Sequence, residues 1–178
     1  MSKRTDFLLK VLNVIAWIAF IGLCIESGAL IFNFAYSINK PIVAHNIYKG
    51  LDLSGLQAKS FVNFIGLMSF IILISILKAY LFYLVVKLFL KLNFVKPFSI
   101  EIAKLIENMS FEVFSIAIVG AVARQYTKKL IKSGYKISNA QEYWNDTGAF
   151  LIMAATIFVI AQVFKKGIEL QNENDLTV

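Results

Sequence analysis

Apolar residues fill four long runs of this chain, and polar residues separate the runs. The runs cover residues 11–34, 61–86, 105–123 and 148–164. A bilayer core about 30 Å thick requires about 20 apolar residues of helix. The pattern therefore predicts an all-α integral membrane protein. We expect a bundle of four transmembrane helices in a single domain over residues 1–178, with a polar cytoplasmic tail at 167–178.

The polar segment between the second and third runs predicts a helix start. Pro97 breaks the chain there, because proline disfavours helix in the residue before it. Ser99 is a favourable N-cap, and Glu101 lies in the first turn, where the helix dipole favours negative charge. The third helix is therefore expected to begin at the membrane interface, before its apolar run.

Composition supports the membrane class. Hydrophobic residues make up 58% of the chain and charged residues 16%, whereas about a quarter of a soluble domain is charged. The net charge of +7 would suit nucleic acid on a soluble surface. Basic residues that flank membrane spans instead interact with lipid headgroups. Membrane lipids are the expected partners, and no direct binding of nucleic acid is expected.

Candidate chemistry is sparse in this sequence. Cys24 is the only cysteine and His45 the only histidine, which rules out an internal disulfide and a zinc site of the usual Cys/His kind. The sequence contains no phosphate-binding loop, nucleophile elbow or metalloprotease motif. We therefore expect no enzymatic activity, no catalytic or metal-binding residues and no cofactor.

Basic residues near the N-terminus predict the topology. Lys3 and Arg4 precede an apolar run that exceeds the core of a signal peptide, about 7–15 residues, so a retained first helix is expected. Four spans place both termini on one side of the membrane. Lysine and arginine divide almost evenly between the two sides, but the basic flank of the first helix favours the cytoplasm for both termini.

Three charged residues interrupt the apolar runs: Glu26, Lys78 and Glu112. A charge inside a bilayer is unfavourable, so each should face a polar partner or water. Three interpretations are open for Glu26 and Lys78. The first is that an ion pair, or a protonated Glu26, merely sets helix register. The second is that both residues belong to a proton or ion relay. The third is that Lys78 extends to the interface. Glu112 belongs to a polar stripe on the third helix, which either lines a polar cavity or, as is more typical, is the side that faces the bundle or water.

These charges allow a second class of function, a small transporter or a proton- or ion-linked membrane component. Such a protein would use Glu26, Lys78 and Glu112 as its polar path. Four short spans rarely enclose a substrate path unless the protein forms a homo-oligomer. Transport is therefore the alternative hypothesis rather than the first.

The two segments expected in the cytoplasm carry opposite charge. The tail is acidic at Glu169, Glu173 and Asp175, whereas lysines flank the turn around Pro97. Opposite charge favours their approach, although an exposed pair contributes only about 0–1 kcal/mol. Either the tail is a frayed end, or the tail and the turn form one composite surface for a soluble partner.

Three segments carry a resemblance to a known family. The closing residues 164–178 match a last helix followed by a tail of the form Gly-x-Glu-Leu-Gln-x-Glu-Asn-Asp-x-Thr. The segment Lys96-Pro-Phe-Ser99 is similar to an Asn-Pro-Phe-Ser turn, with Lys96 in place of the usual Asn, and residues 22–28 match a first-helix pattern. Together they resemble a bacterial family of four-helix membrane proteins catalogued as domain of unknown function 2975. The resemblance covers nearly the whole chain, and the tail is its most specific part.

The resemblance implies a bacterial inner-membrane protein with no established enzymatic activity. Genes of the family often lie beside a gene for a small helix-turn-helix regulator, which suggests such a regulator as a cytoplasmic partner. The first hypothesis is therefore a non-enzymatic membrane protein that binds or sequesters a regulatory partner at its cytoplasmic face. The residues expected to bind this partner are Lys96, Pro97, Phe98, Ser99, Glu169, Gln171, Glu173, Asn174 and Asp175.

Overall fold

The structure is a computed structural model, which describes residues 3–92, 98–137 and 139–175. Helices make up most of this part of the chain, and short 3₁₀ turns occur in two of the loops. The helices are α1 (Lys3–Asn39), α2 (Ser54–Lys59), α3 (Phe61–Lys91), α4 (Ile100–Lys132) and α5 (Thr147–Asp175), and the 3₁₀ turns are Pro41–His45 and Ala140–Tyr143. The all-α prediction is confirmed.

The four longest helices, α1, α3, α4 and α5, are each long and apolar enough to cross a membrane. This confirms the prediction of four membrane helices, although every helix continues beyond its apolar run. The prediction of a separate polar tail at 167–178 is wrong for its described part, because α5 continues to Asp175. Glutamate and glutamine are good helix formers. Lys166 also pairs with Glu169 at 2.7 Å, about one turn later.

Serine side chains cap the starts of α3 and α4. The Oγ atom of Ser60 accepts a hydrogen bond from the backbone N–H of Asn63 at 3.4 Å. The Oγ atom of Ser99 accepts one from the N–H of Ile102 at 3.3 Å. Each bond satisfies an N–H group that lacks a partner within the helix. The predicted N-cap at Ser99 is confirmed.

Helices α1 and α3 pack in antiparallel directions. The hydroxyl groups of Ser27 and Ser75 form a hydrogen bond of 2.9 Å, and the rings of Phe20 and Tyr83 lie 6.0 Å apart between centroids. Helix α4 then packs against both α3 and α5. Within the described residues, the backbone of α1 approaches α3 and the first 3₁₀ turn but neither α4 nor α5. Helix α1 therefore forms one edge of the bundle.

The alternating helix directions create two ends of the molecule. The terminal end holds the starts of α1 and α4 and the ends of α3 and α5. The loop end holds residues 40–60 and 133–146 with the helix segments that they cover. The largest buried apolar cluster lies at the loop end, where helix residues such as Phe64 and Ile71 pack against loop residues such as Leu53. The two loops are therefore packed parts of the fold.

Helix α4 projects beyond the start of α5 at the loop end. Gly120 of α4 lies so close to Thr147 that a Cβ atom at position 120 would come within 2.8 Å of the Thr147 Oγ1 atom. The remaining part of α4, to Lys132, rises about 18 Å past this level at about 1.5 Å per residue. Arg124 and Lys128 are exposed on this extension. Exposed charges favour water over lipid, which indicates that the loop end projects from the bilayer.

Candidate functional site

Two of the three predicted intramembrane charges border one cavity at the loop end. Helix α1 contributes Glu26 and helix α3 contributes Lys78, and the cavity has a volume of about 150 Å³. The two loops supply the rest of the wall. Their lining residues are Tyr48, Lys49, Leu51, Asn139, Glu142 and Tyr143. The cavity thus collects charged and hydroxyl groups from four separate parts of the chain.

Glu26 forms an ion pair with a loop residue and not with Lys78. Its Oε2 atom lies 3.5 Å from the Nζ atom of Lys49. The Lys49 side chain is 70% exposed and that of Glu26 is 20% exposed, so the pair connects the cavity wall to its rim. The neighbouring Tyr48, followed by Glu26, raises the pKa of Lys49 above its ordinary value, because negative charge nearby favours the ammonium form. The interpretation of Glu26 and Lys78 as a direct ion pair is therefore wrong.

Lys78 extends toward the loop end and contacts the second loop. Its Nζ atom donates a hydrogen bond to the backbone carbonyl oxygen of Tyr143 at 3.3 Å. The same ammonium group lies 5.8 Å from the centroid of the Phe150 ring, within the range of a cation–π contact. These two contacts compensate for partial burial of the charge. Lys78 is therefore held in place by α5 and by the loop before it.

Backbone conformations with positive φ occur on both loops at the rim of the cavity. Lys49 has φ 46°, Gly50 has φ 79° and Asn139 has φ 61°. The Nδ2 atom of Asn139 donates a hydrogen bond of 3.2 Å to the carbonyl oxygen of Gly50. The left-handed region is unfavourable for most residues with a Cβ atom, such as Lys49, by about 1–2 kcal/mol, whereas asparagine adopts it more readily. Such strain is typical of functional sites, where the surrounding structure holds the conformation.

The cavity combines charges of both signs. Glu26 and Glu142 are acidic, whereas Lys49 and Lys78 are basic, so the lining contains two groups of each kind. A ligand with a single charge would meet like charge on one wall. Within the described residues, no three His, Cys, Asp or Glu side chains lie together as metal ligands. The arrangement can bind a cationic group and an anionic group at the same time.

Glu112 is separate from this cavity. It lies on α4 beside Val113, which is fully buried in an apolar cluster with Leu81, Ile116 and Ala154. The Oε1 atom of Glu112 is buried, and it has no hydrogen-bond partner among the described residues. The predicted set of three intramembrane charges therefore divides into a pair at the cavity and one isolated carboxyl group.

At the terminal end, the segment before α4 packs against the end of α5. The rings of Phe98 and Phe164 lie 5.3 Å apart between centroids. The Phe98 ring also covers Gly167, where a Cβ atom would come within 2.6 Å of the Phe98 Cδ1 atom. About two turns into α4, the Oε1 atom of Glu107 contacts the Nζ atom of Lys165 at 2.6 Å. These contacts join the turn and the end of α5 into one surface, which we call the terminal surface.

Two further ion pairs lie at the terminal end of the molecule. Glu169 pairs with Lys166 of its own helix, and Lys91 of α3 pairs with Glu101 of α4. The expected approach of the acidic residues of the tail to the lysines around the turn stays a prediction. Aromatic packing of Phe98 on Phe164 joins the segment before α4 to α5, and the ion pair of Lys165 with Glu107 joins α5 to α4.

The other predicted partner-binding residues differ in how far the structure describes them. Ser99 caps α4 and is half-buried. On α5, Gln171 is half-buried and Glu173 is exposed. Lys96 and Pro97 lie outside the described residues. Asn174 and Asp175 belong to the last turn of α5, and their side chains also lie outside the description.

Sequence reasoning missed every loop residue of the cavity. Asn46, Gly50 and Asn139 indicate turns, but turn-forming residues do not reveal which other loop they will meet. Tyr143 contributes its backbone carbonyl oxygen to Lys78, and any residue type could do so. The only signal in the sequence was the presence of Glu26 and Lys78 in apolar runs.

Comparisons with known proteins add no relative. The chain matches no protein-family model, no curated protein and no solved structure. The resemblance to domain of unknown function 2975 therefore stays a prediction, and the geometry of the two ends carries the functional argument.

Proposed function

We propose that this chain is a non-enzymatic, multi-pass protein of a bacterial inner membrane that binds a soluble regulatory protein at its terminal end. The observation that carries the proposal is the packing of Phe98 against Phe164 and over Gly167. This packing joins residues before α4 to residues near the end of α5, so a partner can contact both segments at once. In this proposal both termini lie in the cytoplasm, where the partner is found.

The chemistry of the terminal surface suits a protein partner. Ile100 is 62% exposed and Leu170 is 51% exposed, so an exposed apolar side chain follows closely in the chain after Phe98 and after Gly167. Their chain neighbours Glu101 and Glu169 form ion pairs with Lys91 and Lys166. Apolar residues surrounded by polar groups are typical of protein interfaces. Exposed ion pairs contribute only about 0–1 kcal/mol, so a partner can replace them.

The class of partner comes from the resemblance described above. It suggests a small helix-turn-helix regulator, held at the membrane and away from DNA. Sequestration of this kind requires no chemistry on the partner, in line with a surface made of packing residues and ion pairs. The protein would then control how much free regulator is present in the cytoplasm.

Site-specific photo-crosslinking in cells tests the proposal. A photo-crosslinking amino acid at position 100 reports on the terminal surface, and the same amino acid at position 42 is the matched control. Ile42 is also an exposed isoleucine, 73% accessible, but it lies at the loop end. We expect a small soluble DNA-binding protein to be crosslinked from position 100 only, as identified by mass spectrometry. Lipid adducts alone at position 100, or the same protein product from position 42, would contradict the proposal.

Transport has less support from the geometry. Glu26 and Lys78 border a shared cavity, but the next layer toward the terminal end is an apolar cluster that contains Leu81 and Val113. A second apolar cluster, which includes Ile102 and Ala161, follows beyond it. The cavity therefore resembles a pocket that ends at Lys78 more than a path that continues to Glu112.

A further inference from the structure

The size of the loop-end cavity limits what it can hold. Its volume is about 150 Å³, close to that of a cavity known to accept a benzene molecule, which has six non-hydrogen atoms. Glycine, alanine and serine have five to seven non-hydrogen atoms, about the same number. Peptides, nucleotides and sugars are too large for this space. The part of an occupant that enters the cavity must therefore be small.

The charges around the cavity define the chemistry of the occupant. Glu26 on α1 offers carboxylate oxygens, and Lys78 on α3 offers an ammonium group. Because Glu26 pairs with Lys49 at the rim, its carboxylate keeps lone pairs for another donor. Lys78 uses one of its three N–H groups for the carbonyl oxygen of Tyr143, which leaves two for an anionic acceptor. The two walls thus present complementary binding groups.

Ligands with a single charge fit the cavity poorly. An anion held by Lys78 would also face Glu26 and Glu142, and a cation held by Glu26 would also face Lys49. A molecule that carries one ammonium group and one carboxylate group can place its ammonium group at Glu26 and its carboxylate at Lys78, so each of its charges meets a group of opposite sign. Buried charges without partners are strongly unfavourable, so this electrostatic match selects for a zwitterion.

The cavity is also shaped before a ligand binds. The bond from Asn139 to the Gly50 carbonyl oxygen joins the two loops at the rim, and Lys49 and Asn139 are held at positive φ. A preorganised site loses less entropy on binding than a flexible one. The positive φ angles at these positions therefore fit a rim that keeps its shape around a small ligand.

We propose that the loop-end cavity binds a small free amino acid of the size of glycine, alanine or serine. The ligand ammonium group is held by Glu26 and the ligand carboxylate by Lys78. The site lies at the opposite end of the molecule from the terminal surface, so it is independent of the proposed regulatory partner.

Competition binding on the full-length protein in nanodiscs tests the proposal. Radiolabelled L-alanine is the probe, measured by scintillation proximity. Unlabelled glycine and L-serine should displace it, whereas acetate and methylammonium, which each carry one of the two charges, should displace it at least about tenfold less well. L-Tryptophan, which is too large, should fail to compete. O-phosphoethanolamine distinguishes a lipid headgroup from a free amino acid, and it should compete more weakly than L-serine.

Variants locate the site. Glu26→Gln and Lys78→Met should each weaken L-alanine binding at least about tenfold. Glu112→Gln is the matched control, because it makes the same chemical change in a membrane helix away from the cavity, and it should bind as the wild type does. The competitor series uses the wild-type chain and does not depend on the folding of any variant.

Several outcomes would overturn the proposal. These are the absence of saturable L-alanine binding, equal displacement by acetate or by methylammonium, and stronger displacement by O-phosphoethanolamine than by L-serine. Equal loss of binding in Glu112→Gln and Glu26→Gln would place the site elsewhere in the protein and would also contradict it.

Discussion

The ring of Phe98 occupies the space that a side chain at position 167 would need. A Cβ atom on Gly167 would lie 2.6 Å from Cδ1 and 2.8 Å from Cε1 of this ring, closer than non-bonded carbon atoms approach. Glycine therefore lets the segment before α4 lie directly on α5. This contact joins the two parts of the terminal surface, and it can be tested by adding volume at one position.

Replacement of Gly167 by valine should displace the Phe98 ring. Overpacking of this kind costs about 1–3 kcal/mol, and for a chain of this size each kcal/mol lowers the melting temperature by about 2–4 °C. We expect a lower melting temperature in detergent and less crosslinking from position 100. Gly22→Val is the matched control, because Gly22 is also helical and a Cβ atom added there would meet no neighbouring side chain within 4 Å. Equal effects of the two variants would show that the Phe98 contact is unimportant.

Deletion of residues 170–178 should separate membrane insertion from partner binding. The deletion removes Leu170 and the last turns of α5 but leaves all four apolar runs, so the helices should still insert. The yield of the soluble partner crosslinked from position 100 should fall. Membrane fractionation and protease accessibility check insertion. Undiminished crosslinking in the truncated protein would show that the end of α5 does not take part in binding.

The ion pair of Glu26 with Lys49 should be weak. Because Lys49 is largely exposed, a double-mutant cycle with Glu26→Gln and Lys49→Met should give a coupling energy of about 0.2–1 kcal/mol. Salt should reduce this coupling, since exposed charges are screened. Reversible unfolding in mixed micelles measures the free energy of each variant. A coupling several times larger would mean that the pair is shielded from water in the folded protein.

Substitutions at Asn139 should distinguish backbone strain from hydrogen bonding. Asn139→Ala loses the bond to the Gly50 carbonyl oxygen and places at φ 61° a residue that tolerates the left-handed region less well than asparagine, so it should be destabilised by about 1–3 kcal/mol. Asn139→Gly loses the same bond but relieves the strain, so its stability should stay within about 1 kcal/mol of the wild type. Thermal unfolding of both variants provides the measurement. Equal losses would show that the strain has no energetic consequence.

The loop around Asp52 should lose stability in acid. Hydrogen bonds from Ser54 are the largest cause that lowers the pKa of Asp52 below its ordinary value of 3.8, and His45 adds a smaller effect. A lowered pKa in the folded state means that the stabilisation is complete above the unfolded pKa and is lost as the pH falls through the folded pKa. The loss should therefore occur below about pH 4. Hydrogen exchange of residues 52–57 measures it, and Asp52→Asn should remove the pH dependence without removing the loop.

The sequence by itself determined the class of the protein, the number of membrane helices and the start of α4. Each of these depends on residues that are close in the chain: an apolar run long enough to cross lipid, or a serine three residues before the N–H group that it caps. The helical conformation at the end of α5 also depends on residues that are close in the chain. The polarity of these residues, however, led to the prediction of a tail after the helix. Polarity determines which side of the membrane a segment lies on, whereas helix propensity and the pair of Lys166 with Glu169 determine its conformation.

Tertiary structure alone decided the partners of the buried charges and the joining of the two ends. Lys78 meets the carbonyl oxygen of Tyr143, 65 residues away in the chain, and a backbone carbonyl leaves no mark on the residue type. Glu26 meets Lys49 and not Lys78, because the first loop folds back into the bundle around its own apolar cluster. Gly167 and Phe98 come together only when α4 and α5 are antiparallel and in one particular register. Such contacts depend on helix packing over the whole bundle, which no local pattern of polar and apolar residues specifies.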